Sequence, residues 1–212
     1  MLMNVPDIAT LIARLLTLMV AFTVHEFAHA WSADELGDET PRLNGRLTLN
    51  PLAHLDVIGS LMLLIGGFGW AKPVPVNPYR LRYGSAGFAL VAAAGPISNF
   101  IMALLAAIPF RLGLLFPAFT SSNDFIPSPD FLLTTFIWVN IGLMLFNLIP
   151  LVPLDGSKIL RGFAPREWDS WLTPLEEWGF FILIILITVG GGVLSLIIGP
   201  PANFLFRTML GF

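Results

Sequence analysis

The chain has 212 residues, of which 56% are hydrophobic and 12% charged, with mean hydropathy +0.80 and net charge −3. Soluble domains carry about 25% charged residues, so this composition reads as a membrane protein, and the weak negative charge offers no footprint for nucleic acid. The absence of cysteine excludes disulfides, thiol nucleophiles and cysteine-ligated metals, leaving nitrogen and oxygen as the only ligands.

Residues 1–7 carry no Lys or Arg and lead into an apolar stretch longer than a signal-peptide core, so a retained membrane span is expected over about 6–32. Within it, residues 8–24 hold a single charge, Arg14, and the segment HEFAH follows at 25–29. Residues four apart share one face of a helix, so His25 and His29 can reach one ion. HExxH is a helical zinc signature in which the carboxylate, here Glu26, is general base toward a zinc-activated water. Ionisable groups in such a helix cost about 2.5–3.5 kcal/mol each on insertion scales, which asks for a functional reason.

Acids, then Gly37 and Pro41, stop the first span across 34–41, and turn signals fill 42–56. Residues 57–65 are apolar but too few to cross a bilayer as a helix. Alternating prolines over 66–78 forbid a helix, and Val74 and Val76 between them suit an edge strand, so a hairpin or small sheet beside the active site is expected. Further spans are expected over 88–112, interrupted by Gly95-Pro96 and carrying Asn99; over 131–150, containing Asn140 and Asn147; and over 178–198, with a weak point at 190–192. The tail 200–212 suits an interfacial or partial span. The fold class is therefore an α-helical polytopic membrane protein of four to six spans plus a small membrane-associated β element. One domain covers 1–212, with a catalytic core over about 6–163 and a C-terminal span and tail over 168–212.

Lys and Arg set the orientation. Arg42, Arg46, Lys72, Arg80 and Arg82 follow the first span and Lys158, Arg161 and Arg166 the third, whereas 113–130 contains neither residue type. The positive-inside rule places the first and third polar regions, and with them His25, His29 and the residues after Pro150, toward the cytoplasm of a multi-pass cell-membrane protein.

A catalytic zinc takes three protein ligands and leaves one position open. His54, Asp56 and Asp155 are the candidates for the third. Asp155 follows two prolines at the end of the third span, where an unwound backbone could present a carboxylate; the same position would equally cap a short helix starting near Ser157.

HEFAH at 25–29, NPLAHLD at 50–56, GPISN at 95–99 and Asn147…Pro150…Leu154-Asp155-Gly156 together resemble the site-2 protease family of intramembrane zinc metalloproteases. The resemblance covers roughly residues 20–160 in order and is nearest to compact members without an inserted PDZ domain. It implies one zinc per chain on His25, His29 and Asp155, with Glu26 as base. It also implies cleavage of a transmembrane protein or peptide substrate in or near the lipid bilayer. Asn147 matches the family's asparagine and is the first choice to donate to the oxyanion, with an interhelical hydrogen bond as its alternative role. His54 matches a family position near the site and suits orienting a ligand, stabilising the oxyanion or simply pairing with Asp56, with a supporting role favoured over direct ligation. Asn99 and Asn140 read as helix packing. The competing readings are a catalytically inactive metal-binding membrane module or chaperone, and a channel or transporter, whose paired broken helices are not visible.

Overall fold

The computed structural model describes residues 7–56, 59 and 70–211, apart from the side chain at position 166. The chain is helical. Five helices are long and apolar enough to cross a membrane: α1 (Ile8–Glu35), α4 (Gly84–Arg111), α5 (Pro129–Asn147), α7 (Asp169–Thr188) and α8 (Gly191–Leu210). Short helices α2 (Thr40–Leu43) and α3 (Pro51–His54) follow α1, and α6 (Asp155–Phe163) follows α5. The expectations for residues 1–6, 57–58 and 60–69 fall outside the described residues.

Local chemistry sets the helix ends. Asp7 accepts from the Thr10 N–H at the start of α1, and Ser128 does the same for Phe131 at the start of α5. Gly37, at φ +102°, takes the chain out of α1 through a conformation that side chains resist.

The centre of the fold is the pairing of α1 with α4. On α1, Ala9, Ala13, Thr17, Ala21, His25, His29 and Ala33 are buried at every fourth position. On α4, Gly87, Val91, Gly95, Asn99, Ala103 and Ala107 repeat with the same period. Facing stripes of small residues four apart let two helix backbones approach closely, the packing that works where lipid removes the hydrophobic drive. The two histidines lie in this stripe, so close approach presses their rings against α4. Gly95-Pro96 leaves the helix continuous here rather than interrupting it.

A second cluster joins α4, α5 and α8 around Ala103, Phe110, Ile137, Ile141, Ala202 and Phe206. Arg111, at the end of α4, donates from Nε to the Met209 carbonyl at 2.8 Å, so α4 and α8 finish together. Asp169, at the start of α7, instead sits at the other end of the bundle, bonded to Arg161 of α6. From there to the end of α8 the chain makes one net passage, although α7 and α8 are each long enough to cross. The span expected over 178–198 is thus divided: α7 closes at Thr188, Gly190 precedes α8, and the tail from 200 belongs to α8. The glycine run breaks the helix because each glycine lacks the side chain that would favour helical geometry over the turn.

At the α6 end, residues 71–77 are extended, as the prolines require. They are clamped from three directions. Lys72 donates its N–H to the His54 carbonyl at 2.7 Å, Asn77 donates to Asp38 Oδ2 at 2.6 Å, and buried Arg46 reaches the carbonyls of Ala53 and Pro73. Among the described residues the β structure is a single antiparallel bridge, Leu55 to Ala71, and not a hairpin. The preceding residues, where a second arm would lie, are outside the described set.

Candidate metal centre

α1 supplies two imidazoles on its buried stripe, and the start of α6 supplies a carboxylate. His25 Nε2 lies 3.0 Å from His29 Nε2 and 3.1 Å from Asp155 Oδ2, and His29 Nε2 lies 3.2 Å from the same oxygen. All three side chains are buried, and they form a group able to hold one metal ion.

The tautomers decide what this triangle needs. His25 Nδ1 is 2.6 Å from Asn99 Oδ1, while Asn99 Nδ2 donates to Asn140 Oδ1 at 2.8 Å, which fixes the carboxamide with its oxygen toward the ring. Asn140 in turn donates to the Phe136 carbonyl. His29 Nδ1 donates to the Val91 carbonyl at 2.8 Å. Both Nδ1 atoms therefore carry the proton, and both Nε2 atoms present lone pairs to each other and to a carboxylate. Three lone-pair donors at such separations repel unless a cation sits among them. Zinc bonds of about 2.0–2.2 Å in tetrahedral geometry place ligand atoms about 3.3–3.6 Å apart, so the triangle accepts zinc with an expansion of a few tenths of an ångström.

Space is provided by glycine. A β-carbon on Gly95 would lie 2.5 Å from His29 Nε2 and 2.6 Å from His25 Nε2, so only glycine admits the rings at this crossing. Gly156 acts similarly behind Asp155: a β-carbon there would meet the Leu148 and Ile149 carbonyls at 2.3 and 2.4 Å.

Asp155 is the first residue of α6, and no side-chain hydrogen bond caps that helix, so the capping alternative is not what its carboxylate does. Oδ2 faces the imidazoles, and Oδ1 accepts from the Lys158 ammonium at 3.1 Å. Burial alone would push this carboxyl up; His29 and His25 outweigh it and hold it well below the ordinary carboxylate range.

A cavity of about 2330 Å³ opens onto the cluster. Glu26 lines it, half-buried, with no hydrogen bond or ion pair among the described residues. Asn147, the last residue of α5, also lines it; one N–H donates to the Leu143 carbonyl at 3.0 Å, leaving the other. Trp70, Ala71, Val74 and Val76 bring the extended segment to the same cavity. His54 is not brought in. It is fully buried in α3, outside the cavity lining, with its ring donating to the Thr48 carbonyl at 2.7 Å and its backbone carbonyl holding Lys72. Asp56 bonds the Gly59 N–H and stands outside the cluster as well.

The sequence reading missed the roles of Asn99 and Asn140. The signal was present: Asn99 stands four residues after Gly95, one turn along the face that receives His25.

No family model matches the chain, and no solved structure matches it. Among curated proteins, the chain is 40% identical over 190 residues to "Putative zinc metalloprotease YwhC" of Bacillus subtilis, covering 89% of this chain and 84% of that protein. It is 28% identical over 177 residues to "Putative zinc metalloprotease Rip2" of Mycolicibacterium smegmatis, covering 80% of this chain and 64% of that one. The Mycobacterium tuberculosis (strain H37Rv) protein of the same name is 28% identical over 182 residues, with 79% and 63% covered, so the chain spans just under two thirds of either mycobacterial relative.

Proposed function

The chain belongs to the site-2 protease family of zinc metalloproteases, and from that premise we propose that it is an intramembrane endopeptidase that hydrolyses transmembrane segments of other proteins. The observation that carries the proposal is the position of the metal cluster. His25 and His29 lie on a helix fit to cross a membrane, and their cavity runs along that helix.

In this reading His25, His29 and Asp155 hold the zinc. When bound, zinc supplies a Lewis acid that polarises the scissile carbonyl and brings the pKa of water to about 7. Asn99 and the Val91 carbonyl keep both rings in the tautomer that leaves Nε2 free. Glu26, one residue past the first ligand and with no hydrogen bond or ion pair among the described residues, takes the proton of the attacking water and delivers it to the leaving amine. Asn147 turns its uncommitted N–H to the developing oxyanion. Lys158 holds the outer oxygen of Asp155, which leaves Oδ2 as the ligand atom. His54 acts at a distance, by holding the extended segment through its carbonyl.

A protease requires its substrate extended, whereas a transmembrane substrate enters as a helix. The N–H groups of Val74 and Val76 have no acceptor among the described residues, and alternate residues of a strand point their N–H groups the same way. An unwound substrate pairs with this edge by β-addition. The whole chain forms a single protease domain in this account, with the metal end of the bundle toward the cytoplasm of the cell membrane, as the distribution of Lys and Arg indicates.

The test is cleavage of a transmembrane reporter in proteoliposomes by the zinc-loaded wild type and by Glu26→Gln. The expected result is cleavage that falls at least about 100-fold in the variant while its zinc content is kept. Equal cleavage by the variant, or hydrolysis confined to soluble peptides, would contradict the proposal. An inactive metal-binding module would show zinc without cleavage in both.

A further inference from the structure

The cavity does not end at the metal. Along α1 it is lined at Leu11, Leu15, Leu18, Phe22, Glu26 and His29, a stripe at helical spacing. From Thr10 to His29 is a rise of about 28 Å, close to the thickness of a bilayer's hydrocarbon core. α5, α7 and α8 form the other walls, through residues such as Trp138, Val139, Leu183, Ile184 and Phe206, so the middle is apolar. The end opposite the metal mixes apolar side chains such as Leu11 and Phe131 with polar ones. Arg14 of α1 and Arg207 of α8 both line it, with Thr134 and Asn203 nearby.

Three cations line the groove, Arg14, Lys158 and Arg207, and Lys158 is paired with Asp155 at the metal end. Elsewhere Arg42 and Arg161 are in ion pairs, Arg46 and Arg111 bond carbonyls, and Lys72, Arg80 and Arg82, outside the five long helices, have no side-chain partner among the described residues. Arg14 and Arg207 have no hydrogen bond or ion pair among the described residues; Asp7 senses the Arg14 charge but accepts its hydrogen bonds from Thr10. Each is the only charge in its apolar helical stretch, and the two come from different helices to the same groove. A cation within an apolar helical stretch is costly unless an anion meets it.

We infer that Arg14 and Arg207 form a carboxylate-binding subsite at the far end of the groove, selecting substrate helices that carry an Asp or Glu at a set distance from the bond to be cut. The inference rests on the protease reading above. Arg14 lies eleven residues before His25, a rise of about 16 Å. The acidic residue therefore falls about 11 residues from the scissile bond if the intervening substrate is all helix. It falls about 7 away if three residues are drawn out to strand. A lipid phosphate shares the charge; both arginines are exposed and line the groove that also holds Glu26, so the experiment separates the two sources.

The test uses the Glu26→Gln protein in phosphatidylcholine nanodiscs, with fluorescent Leu/Ala transmembrane peptides broken by a central Gly-Gly. One Glu is placed about 3, 7, 9, 11 or 15 residues from the break, each peptide paired with a Gln twin. Glu at 7–11 should tighten binding at least about tenfold over the twin, and Glu at 3 or 15 should not. The preference should vanish in Arg14→Gln/Arg207→Gln and persist in Arg14→Lys/Arg207→Lys, with one zinc per chain showing that each variant is folded. No position dependence, or a preference that survives the Gln pair, overturns the subsite. So does arginine-dependent retention of phosphatidylglycerol without any Glu preference. Cleavage of the Gln peptides by wild type is read separately: its failure would remove the protease reading without touching the measured preference.

Discussion

Asn99 Oδ1 accepts the Nδ1–H of His25 at 2.6 Å, across the α1–α4 interface. The contact makes the second imidazole nitrogen a lone-pair donor, and Asn140 holds the carboxamide in the required sense. Groups that orient a ligating histidine are worth about 10–100-fold in metal affinity. Asn99→Leu should weaken zinc binding by that amount in a chelator competition, and Asn140→Leu by less, since it acts one bond further away. Unchanged affinity in Asn99→Leu would show that the ring needs no such partner.

Gly95 gives a steric prediction. Gly95→Ala places a methyl within contact of both imidazoles. Overpacking of this kind costs about 1–3 kcal/mol, and here the yielding atoms are the proposed metal ligands. The variant should keep its helix content by circular dichroism and lose most of its zinc. Full zinc occupancy would mean that α1 and α4 can separate without harm to the site.

How much of this was legible in the sequence depends on the range of the interactions. HEFAH at 25–29 is a local pattern on one helix, so the paired imidazoles and Glu26 could be read directly. The extended form of 71–77 follows from Pro73 and Pro75 alone. Asp155 as partner of the histidines was reached through the family resemblance, because spacing left it balanced against a helix cap. The cap reading gave way because Leu154, extended at ψ 156°, takes the cap position and frees the carboxylate. The period-four stripes on α1 and α4 were in plain view, yet hydropathy windows average over small residues and hide them. His54 was the reverse case. Its place in NPLAHLD suggested the site, while tertiary packing seals it in α3, where it holds the neighbouring segment instead. The division of 178–198 between α7 and α8 depends on where α8 docks against Arg111, which no local signal carries.

Lys158 holds the outer oxygen of Asp155, and its side chain is 40% exposed, so the ion pair is partly screened. Such pairs contribute at most about 1 kcal/mol. Lys158→Met should weaken zinc binding no more than about fivefold, and Lys158→Arg should restore it. A loss as severe as that of Asp155→Ala would instead make Lys158 indispensable to the site.

Arg46 tests the clamp on the extended segment. Its buried guanidinium bonds the carbonyls of Ala53 and Pro73, and charged hydrogen bonds of this kind contribute about 1.5–3 kcal/mol. Arg46→Met should speed proteolytic nicking across 71–77 and lower reporter cleavage, with zinc content unchanged. Protection equal to wild type would show that Lys72 and Asn77 hold the segment unaided.

The most direct measurement is zinc per chain in detergent-purified protein, wild type beside Asp155→Ala and His54→Ala. Three converging lone-pair donors predict about one zinc in wild type, almost none without Asp155, and about one without His54. Zinc retained in Asp155→Ala but lost in His54→Ala would contradict the account, because the third ligand would then have to come from α3 rather than from the start of α6.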